Sequence, residues 1–327
     1  MCYSAQVTAS FRTYVRRLGA RADLAAFQAL FEQRSRDPRI KVPKAMEADF
    51  LDPQSDLQSS PQSDQEAAIA QVIRSFHHEQ GTRWEQELFK QRKRLADAQR
   101  QLQVKTTKAA TDSQRIATAK VDALLARLAD LRRIQLLPRD SRIYSGYYAP
   151  VLVWEDGHRV VRPMRYQCRP AGKPAFYDQK YPGTYNARRD NLRGFWKAQF
   201  GHTHGLMLVQ AFYEHVARHQ AEGRALRPDE PPQSVILEFR PHTGQDMLVA
   251  CLWSRWRGTG EPDLLSFAAI TDEPPPEVAA AGHDRCIIPL PEAAIESWLN
   301  PDAKNLNATE ALLDERERPV YEHRLAA

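Results

Sequence analysis

From about residue 65 to residue 137 the chain contains one glycine, Gly81, and no proline until Pro138. Such a stretch gives the backbone almost nothing to break on. Its apolar residues recur at helical intervals: Ile69, Val72, Ile73 and Phe76, then Val121, Leu124, Leu125, Leu128 and Leu131. A polar interval from Lys105 to Ser113 divides the pattern, giving either two long helices folded back as a hairpin or a single rod. A helix over residues 65–103 alone would measure roughly 58 Å at 1.5 Å per residue. Helices of that length seldom form the core of a small catalytic domain, so the segment reads as an insertion into another fold.

The flanking sequence has a different texture. Residues 1–50 combine a short apolar start (Ala5 to Phe11), a helix expected over residues 21–34 and an irregular stretch marked by Asp37-Pro38 and Val42-Pro43. Residues 51–64, rich in Ser, Gln, Asp and Pro, read as a mobile linker. Beyond Pro138 short β-like runs are divided by turns, with the strongest strand signals at residues 151–154, 205–212, 234–239, 247–253 and 264–270. Residues 292–299, following Pro291, suit a helix with proline in its first turn. The expected fold is therefore α+β: a mixed, barrel-like β core with flanking helices, plus a long inserted α-helical hairpin. Residues 1–51 and 138–327 form one discontinuous catalytic domain in this reading, and residues 52–137 the linker and insertion.

Charge and cysteine usage narrow the function classes. The net charge of +5 resides in one place, because residues 64–135 hold 14 Lys/Arg against 9 Asp/Glu and the remainder balances. The basic excess is thus weak evidence for a nucleic-acid surface outside the insertion. No apolar run approaches the roughly 18–20 residues of a membrane span, and the first residues lack a basic-then-apolar leader, so a cytoplasmic location is expected. Cys2, Cys168, Cys251 and Cys286 lie too far apart for a paired metal spacing or a disulfide framework. The last three read as buried, inert thiols.

Cys2 differs by position. Removal of Met1 would make it an N-terminal aminothiol, with reference pKa values of about 7.7–8.0 for the amine and 8.5 for the thiol. Such a pair can condense with an aldehyde to an imine, which the thiol closes to a five-membered thiazolidine. Three further segments could carry chemistry. Tyr185-Asn186-Ala187-Arg188-Arg189-Asp190 offers an amide able to orient an amine and a guanidinium suited to phosphate. Glu214 ends the apolar run Leu208 to Tyr213, where partial burial would suit a carboxyl to general acid or base work. His283, flanked by Gly282, Asp284 and Arg285, could shuttle protons. His215 and His219 share i,i+4 spacing, but Glu214-His215-x-x-x-His219 is not the zinc-protease order, and His202-Thr203-His204 supplies no fixed third ligand. No metal and no cofactor is expected.

Taken alone each signal is weak. In this order they resemble the SOS response-associated peptidase family, also called abasic-site processing proteins, whose hallmarks are an initial Met-Cys, an Asn-Ala-Arg-x-Glu loop, a Gly-Phe-Tyr-Glu-Trp strand end and a His-Asp-Arg-Met-Pro segment. Here they stand as Met1-Cys2, Asn186-Ala187-Arg188-Arg189-Asp190, Ala211-Phe212-Tyr213-Glu214-His215 and His283-Asp284-Arg285-Cys286. Cys251-Leu252-Trp253-Ser254-Arg255-Trp256 is similar to the family's Gly-Leu-Trp-Glu-Arg-Trp strand, and Thr271 sits where the family places a Thr before its histidine loop. Departures are Tyr3-Ser4 for Gly-Arg, Arg165-Tyr166-Gln167 for Arg-Trp-Gly, and His215 for Trp. The resemblance covers about residues 1–50 and 138–300.

The resemblance implies self-removal of Met1 and a thiazolidine crosslink between Cys2 and the aldehyde of an abasic site in single-stranded DNA. Asn186 would hold the amine, Glu214 would move protons, and His283 would stabilise the opened sugar and the imine. Arg188, Tyr166, Trp253, Thr271 and Arg285 would contact DNA, with Tyr166 or Trp253 stacking on a base. Two alternatives remain open: a cysteine peptidase acting on other proteins, and a non-catalytic DNA-repair scaffold working through the basic hairpin. The hairpin is also the surface expected to take a protein partner or a second copy of the chain.

Overall fold

The chain enters the fold as a short strand, β1 (Ser4–Val7), buried at all four positions. The computed structural model describes residues 4–52 and 63–326. These divide into two units, residues 4–52 with 137–326 and residues 63–136. Cys2 and most of the expected linker lie outside the described residues.

Three helices follow β1: α1 (Phe11–Leu18), α2 (Leu24–Arg36) after the two-residue β2 (Arg21–Ala22), and α3 (Lys44–Leu51). The helix expected over residues 21–34 starts later because Arg21 and Ala22 pair with another strand first. The Asp23 carboxylate then caps α2 by accepting from the Ala26 N–H at 2.9 Å. Residues 37–50, expected to be irregular, are so only as far as Pro43, which stands at the start of α3. Gly19, at φ +62°, ends α1 in the left-handed conformation that a Cβ disfavours. The three helices bury a cluster of Phe11, Phe27, Phe31 and Phe50, with ring centroids 5.1 to 5.7 Å apart. Each such ring contributes its buried area and about 0.5–1.5 kcal/mol of edge and offset packing besides.

The insertion is a hairpin and not a rod. Helix α4 (Asp64–Val104) starts at a capping box in which Ser63 and Glu66 satisfy each other's backbone N–H groups. It stops where Thr107 caps α5 (Lys108–Arg132) by accepting from the Ala110 N–H at 3.2 Å. Leu88, Val121, Leu124 and Leu128 form the seam between the two helices, with Trp84 packed against it. Across the seam Arg94 donates to the Ser113 hydroxyl at 2.9 Å, and Arg132 pairs with Glu85.

After the insertion come β3 (Arg142–Tyr144), β4 (Tyr148–Glu155), β5 (His158–Tyr166), α6 (Tyr177–Lys180), β6 (Asn186–Arg188), β7 (His204–Ala217), α7 (Arg218–Ala221), β8 (Ser234–Pro241), β9 (Met247–Trp256) and β10 (Leu264–Asp272). The chain closes with α8 (Pro276–Ala280), β11 (Cys286–Ile287), β12 (Pro289–Leu290), α9 (Ile295–Leu299), α10 (Leu306–Asp314) and β13 (Tyr321–Leu325). Asp156 and Gly157, both at positive φ, make the tight turn that joins β4 to β5. All the expected strands are present, and they join one mixed sheet. Pairings run β7–β9–β10–β5–β4 and back to β7, but the β10–β5 and β4–β7 joints are two residue pairs long. The core is therefore a partial ring and not a true barrel. The Tyr14 hydroxyl braces the β4–β7 joint by donating to the Pro150 carbonyl at 3.0 Å and accepting from the Leu208 N–H at 2.8 Å.

Just past β5, Gln167 holds φ +121°, a conformation that favours glycine. This is the position where the resembling family reads Gly. The strain costs on the order of 1–3 kcal/mol. In partial return the Gln167 Nε2 donates to the Asp178 carbonyl at 2.7 Å, a bond with a net contribution of about 1 kcal/mol. Gln167→Gly is accordingly expected to unfold in urea at or above the wild-type midpoint. Gln167→Ala keeps the strain, loses the bond and should fall about 1 kcal/mol below wild type; the reverse order would show that the backbone there is unstrained.

Candidate active site

Glu214 and His283 meet in the interior. Glu214 lies on β7 in register with Leu237 of β8, and its side chain is fully buried. His283 follows α8 on a turn that depends on Gly282, whose φ is +96° and where an added Cβ would stand 2.8 Å from the Gln220 side chain. The His283 Nε2 is 3.1 Å from the Glu214 Oε2. Its Nδ1 faces the backbone of Arg285, 3.0 Å from the carbonyl oxygen and 3.3 Å from the N–H.

Burial pushes the His283 pKa below that of a free imidazole, against the Arg285 carbonyl, which favours the charged ring. Burial thus favours the neutral ring, which carries one proton. With that proton on Nδ1, directed at the Arg285 carbonyl, Nε2 is bare and can accept a proton. With it on Nε2, the carboxylate accepts. A carboxyl and an imidazole 3.1 Å apart can pass a proton between them, which general acid–base catalysis requires.

The amide of Asn186 adds a second polar centre. Strand β6 runs parallel to β10, with Asn186 opposite Ala269 and Arg188 opposite Thr271. Asn186 is buried, yet neither its Nδ2 nor its Oδ1 has a hydrogen-bond partner among the described residues. The Thr271 Oγ1 is in the same condition. Leaving such groups unsatisfied costs about 1–3 kcal/mol each, so their donors and acceptors are available to a ligand. The end of β10 gathers these elements, because Thr271 and Asp272 also pair with Ile287 and Cys286 of β11, the strand that follows the His283 turn.

Beside them lies a hollow of 270 Å³ whose lining includes Arg188, Thr271 and Arg285, three of the five residues expected to contact DNA. Most of its charges are internally paired. Arg188 makes a bidentate contact with Asp190 at 3.0 and 2.6 Å, Arg189 reaches Asp272 at 3.0 Å, and Arg285 lies 3.6 Å from Asp284. Arg188 is half exposed; an ion pair there contributes only about 0–1 kcal/mol, so an incoming phosphate can displace Asp190.

The other two expected DNA contacts are placed differently. Tyr166 is 1% exposed, its ring packed against Tyr185 and Phe267 at centroid distances of 5.6 and 5.3 Å. No ring face is open to a base, and the expectation of stacking at Tyr166 is corrected accordingly. Trp253 is partly exposed, but its indole N–H donates to the His204 carbonyl at the start of β7, the opposite end of that strand from Glu214. His204 itself is a structural histidine. It accepts from the Gly201 N–H at 2.8 Å, faces the Trp298 carbonyl at 2.9 Å, and burial lowers its pKa to about 3.

Cys168, Cys251 and Cys286 are all buried, and burial pushes the thiols of Cys168 and Cys286 up to about 12. Neither is a nucleophile at neutral pH. Ser4, standing where the family reads Arg, is fully buried and accepts from the Arg142 Nε at 3.0 Å. Arg142 also lies over the Tyr213 ring, 3.6 Å from its centroid, on the face of β7 opposite Glu214. Sequence reasoning missed the C-terminal segment altogether. Arg316 binds Asp272 at 2.5 Å and Asp314 binds Arg189 at 2.5 Å, tying residues beyond α9 to the end of β10. Ion pairs between residues so distant along the chain leave no local pattern to read.

The fold and this site define an α+β protein with a buried carboxyl–imidazole pair and an unspent amide. The family model described as SOS response associated peptidase (SRAP) matches residues 82–325, and the chain belongs to that family. Membership supports a function related to DNA damage, with DNA as an interaction partner. Among solved structures the chain is similar to a Bordetella bronchiseptica protein at 17% identity, covering 57% of this chain and 87% of that one, with a TM-score of 0.46. A Bacteroides thetaiotaomicron protein matches at 12% identity over 57% and 77% of the two chains, TM-score 0.43. A phage-related protein of Bordetella bronchiseptica matches at 18% identity over 57% and 80%, TM-score 0.42. No curated protein matches. Among the described residues, no helix is long and apolar enough to cross a membrane.

Proposed function

We propose that this protein removes its own Met1 and then bonds Cys2 covalently to the aldehyde of an abasic site in single-stranded DNA. Hydrolysis of the Met1–Cys2 bond consumes one water and frees the amine. The amine adds to the C1′ aldehyde and loses water to give an imine. The thiol sulfur then adds to the imine carbon, its proton passing to nitrogen, and the ring closes as a thiazolidine. Each step moves a proton, and Glu214 with His283 would donate and accept them, while the Asn186 amide holds the Cys2 amine. Arg188, Thr271 and Arg285 would receive the flanking phosphate. An unpaired lesion avoids the unstacking cost of extrusion from a duplex.

The observation that carries this reading is the buried Glu214–His283 pair at 3.1 Å, with the register of β1 in support. Ser4 pairs with Tyr213, the neighbour of Glu214. Cys2 stands two residues before Ser4 in the chain. The test is incubation with a single-stranded oligonucleotide bearing one abasic site, followed by a denaturing gel. The wild type should give a slowly migrating covalent band that is absent with Cys2→Ala and with an intact oligonucleotide. No band from protein whose mass shows Met1 to be gone would refute the proposal.

A further inference from the structure

The basic charge of the helical hairpin is not spread along it. Residues 90–120, the half that carries the turn between α4 and α5, hold nine Lys/Arg and two Asp/Glu, whereas the other half holds five Lys/Arg and seven Asp/Glu. The hairpin's entire positive excess therefore sits at its distal end. Lys90, Arg92, Lys93, Lys105, Lys108 and Lys120 are exposed there, and none has an acidic partner among the described residues. Lys90, Lys93 and Arg94 line a groove of 330 Å³ along the hairpin, with a single carboxylate, Asp97, among its walls. A seam of buried leucines needs solvating charge outside it, but not one sign of charge at one end.

A second feature lies on the same surface. Phe89 is 73% exposed, although it directly follows the seam residue Leu88. Arg92 and Lys93 stand three and four residues beyond it, and side chains at those spacings are neighbours on a helix. An exposed aromatic ring flanked by unpaired cations combines a stacking platform with backbone neutralisation, the two components of single-strand recognition. A folded acidic protein surface would satisfy the cations but leaves the ring without a role. Regular duplex DNA presents no open base to it.

We infer that the distal half of the hairpin is a second nucleic-acid contact, which tracks the phosphates of single-stranded DNA and stacks a base on Phe89. It requires neither Cys2 nor a lesion. The surface would hold the strand on which the abasic site lies and raise the local concentration of that strand for the other unit.

The test uses the full chain and an intact, lesion-free single-stranded oligonucleotide, so crosslinking chemistry plays no part. Binding is followed by fluorescence anisotropy across a range of salt. The variant Lys90→Gln/Arg92→Gln/Lys93→Gln is expected to bind at least tenfold more weakly at low salt. Its log K against log salt should be shallower by about 2, since each single-strand phosphate contact accounts for about 0.7. Phe89→Ala should weaken binding about tenfold with the salt slope unchanged, the effect of one lost stacked base. Arg74→Gln/Arg83→Gln/Arg127→Gln, removing the same charge from the other half, should bind as wild type. Circular dichroism of each variant checks that the helices persist. The inference is overturned if the distal variant keeps the wild-type slope, if the control variant loses as much, or if duplex DNA binds as tightly with equal dependence on Phe89. A failure here leaves the crosslinking reading standing, and a failed crosslink leaves this one standing.

Discussion

Glu214→Gln is expected to slow covalent capture of an abasic oligonucleotide by about 10²–10⁴-fold, the range over which a positioned acid–base group acts. The substitution keeps size and polarity, because a glutamine amide still stands beside the His283 Nε2, 3.1 Å from the present carboxyl oxygen. What it removes is the ability to take up and release a proton. The carboxyl is fully buried, so replacing it by a neutral amide does not expose the fold to the penalty of an orphaned charge. The variant should melt at or above the wild-type temperature while losing rate. Loss of rate with an unchanged melting temperature separates a chemical role from a structural one. A capture rate within threefold of wild type would remove Glu214 from the proposed mechanism. Lesion-free binding should not change in either case, since the groups proposed to hold phosphate lie on β6, β10, the turn after α8 and the distal half of the hairpin.

Asp178→Ala is expected to lower stability by about 3–5 kcal/mol, the cost of breaking a buried ion pair from one side. The Asp178 carboxylate, 5% exposed, lies between two guanidinium groups, with Arg165 at 2.5 Å and Arg169 at 2.8 Å, themselves only 17% and 11% exposed. Arg169 is further held over the Trp256 ring at 4.5 Å. Truncation leaves both cations buried without their anion. Burial by itself would raise the Asp178 pKa, but the hydrogen bond from Arg169 and the charges of Arg165 and Arg169 outweigh it and hold the pKa below the usual value. The stabilisation is therefore complete above the unfolded pKa of about 4 and is lost as pH falls through the lower folded value. Urea melts from pH 7 to pH 2 should show wild-type stability falling below pH 4, with the loss less steep in Asp178→Asn. Equal slopes in the two proteins would mean that the Arg–Asp–Arg cluster does not couple to folding.

This cluster bears on the geometry of the candidate site through the chain between β5 and β6. Asp178 anchors the segment between β5 and β6, and Gln167, which bonds the Asp178 carbonyl, starts that segment in a strained conformation. Tyr166 packs on Tyr185, the residue before Asn186. Its ring thus braces the strand that carries Asn186, where the sequence suggested a surface for a base.

How much of this could be read in advance varied with the range of the interactions involved. The hairpin was legible because helices depend on neighbours three and four residues apart, and seventy residues without a chain breaker admit little else. The five strongest strand signals were legible as short apolar runs divided by turns. Failures occurred where a distant partner intervened. Arg21 and Ala22 look helical but are drawn into pairing with β5. Residues 306–325, which showed no signal, are held as a helix and an edge strand by β8 and by ion pairs of Asp314 with Arg189 and Arg316 with Asp272.

The site divides along the same line. The amino-acid sequence by itself determined the kinds of groups present: a cysteine at position 2, an amide, a carboxyl, an imidazole and several guanidinium groups, in an order that a family shares. Local pattern also determined the insertion and placed all of the surplus positive charge in it. Only the tertiary structure decided that Glu214 and His283 touch, that Asn186 and Thr271 keep unspent hydrogen-bonding groups at the end of β10, and that Tyr166 is buried. Residue type and spacing follow from covalent connectivity. Contact between residues nearly seventy positions apart, and the burial that lowers the His283 pKa, arise only when the partial ring closes and excludes water.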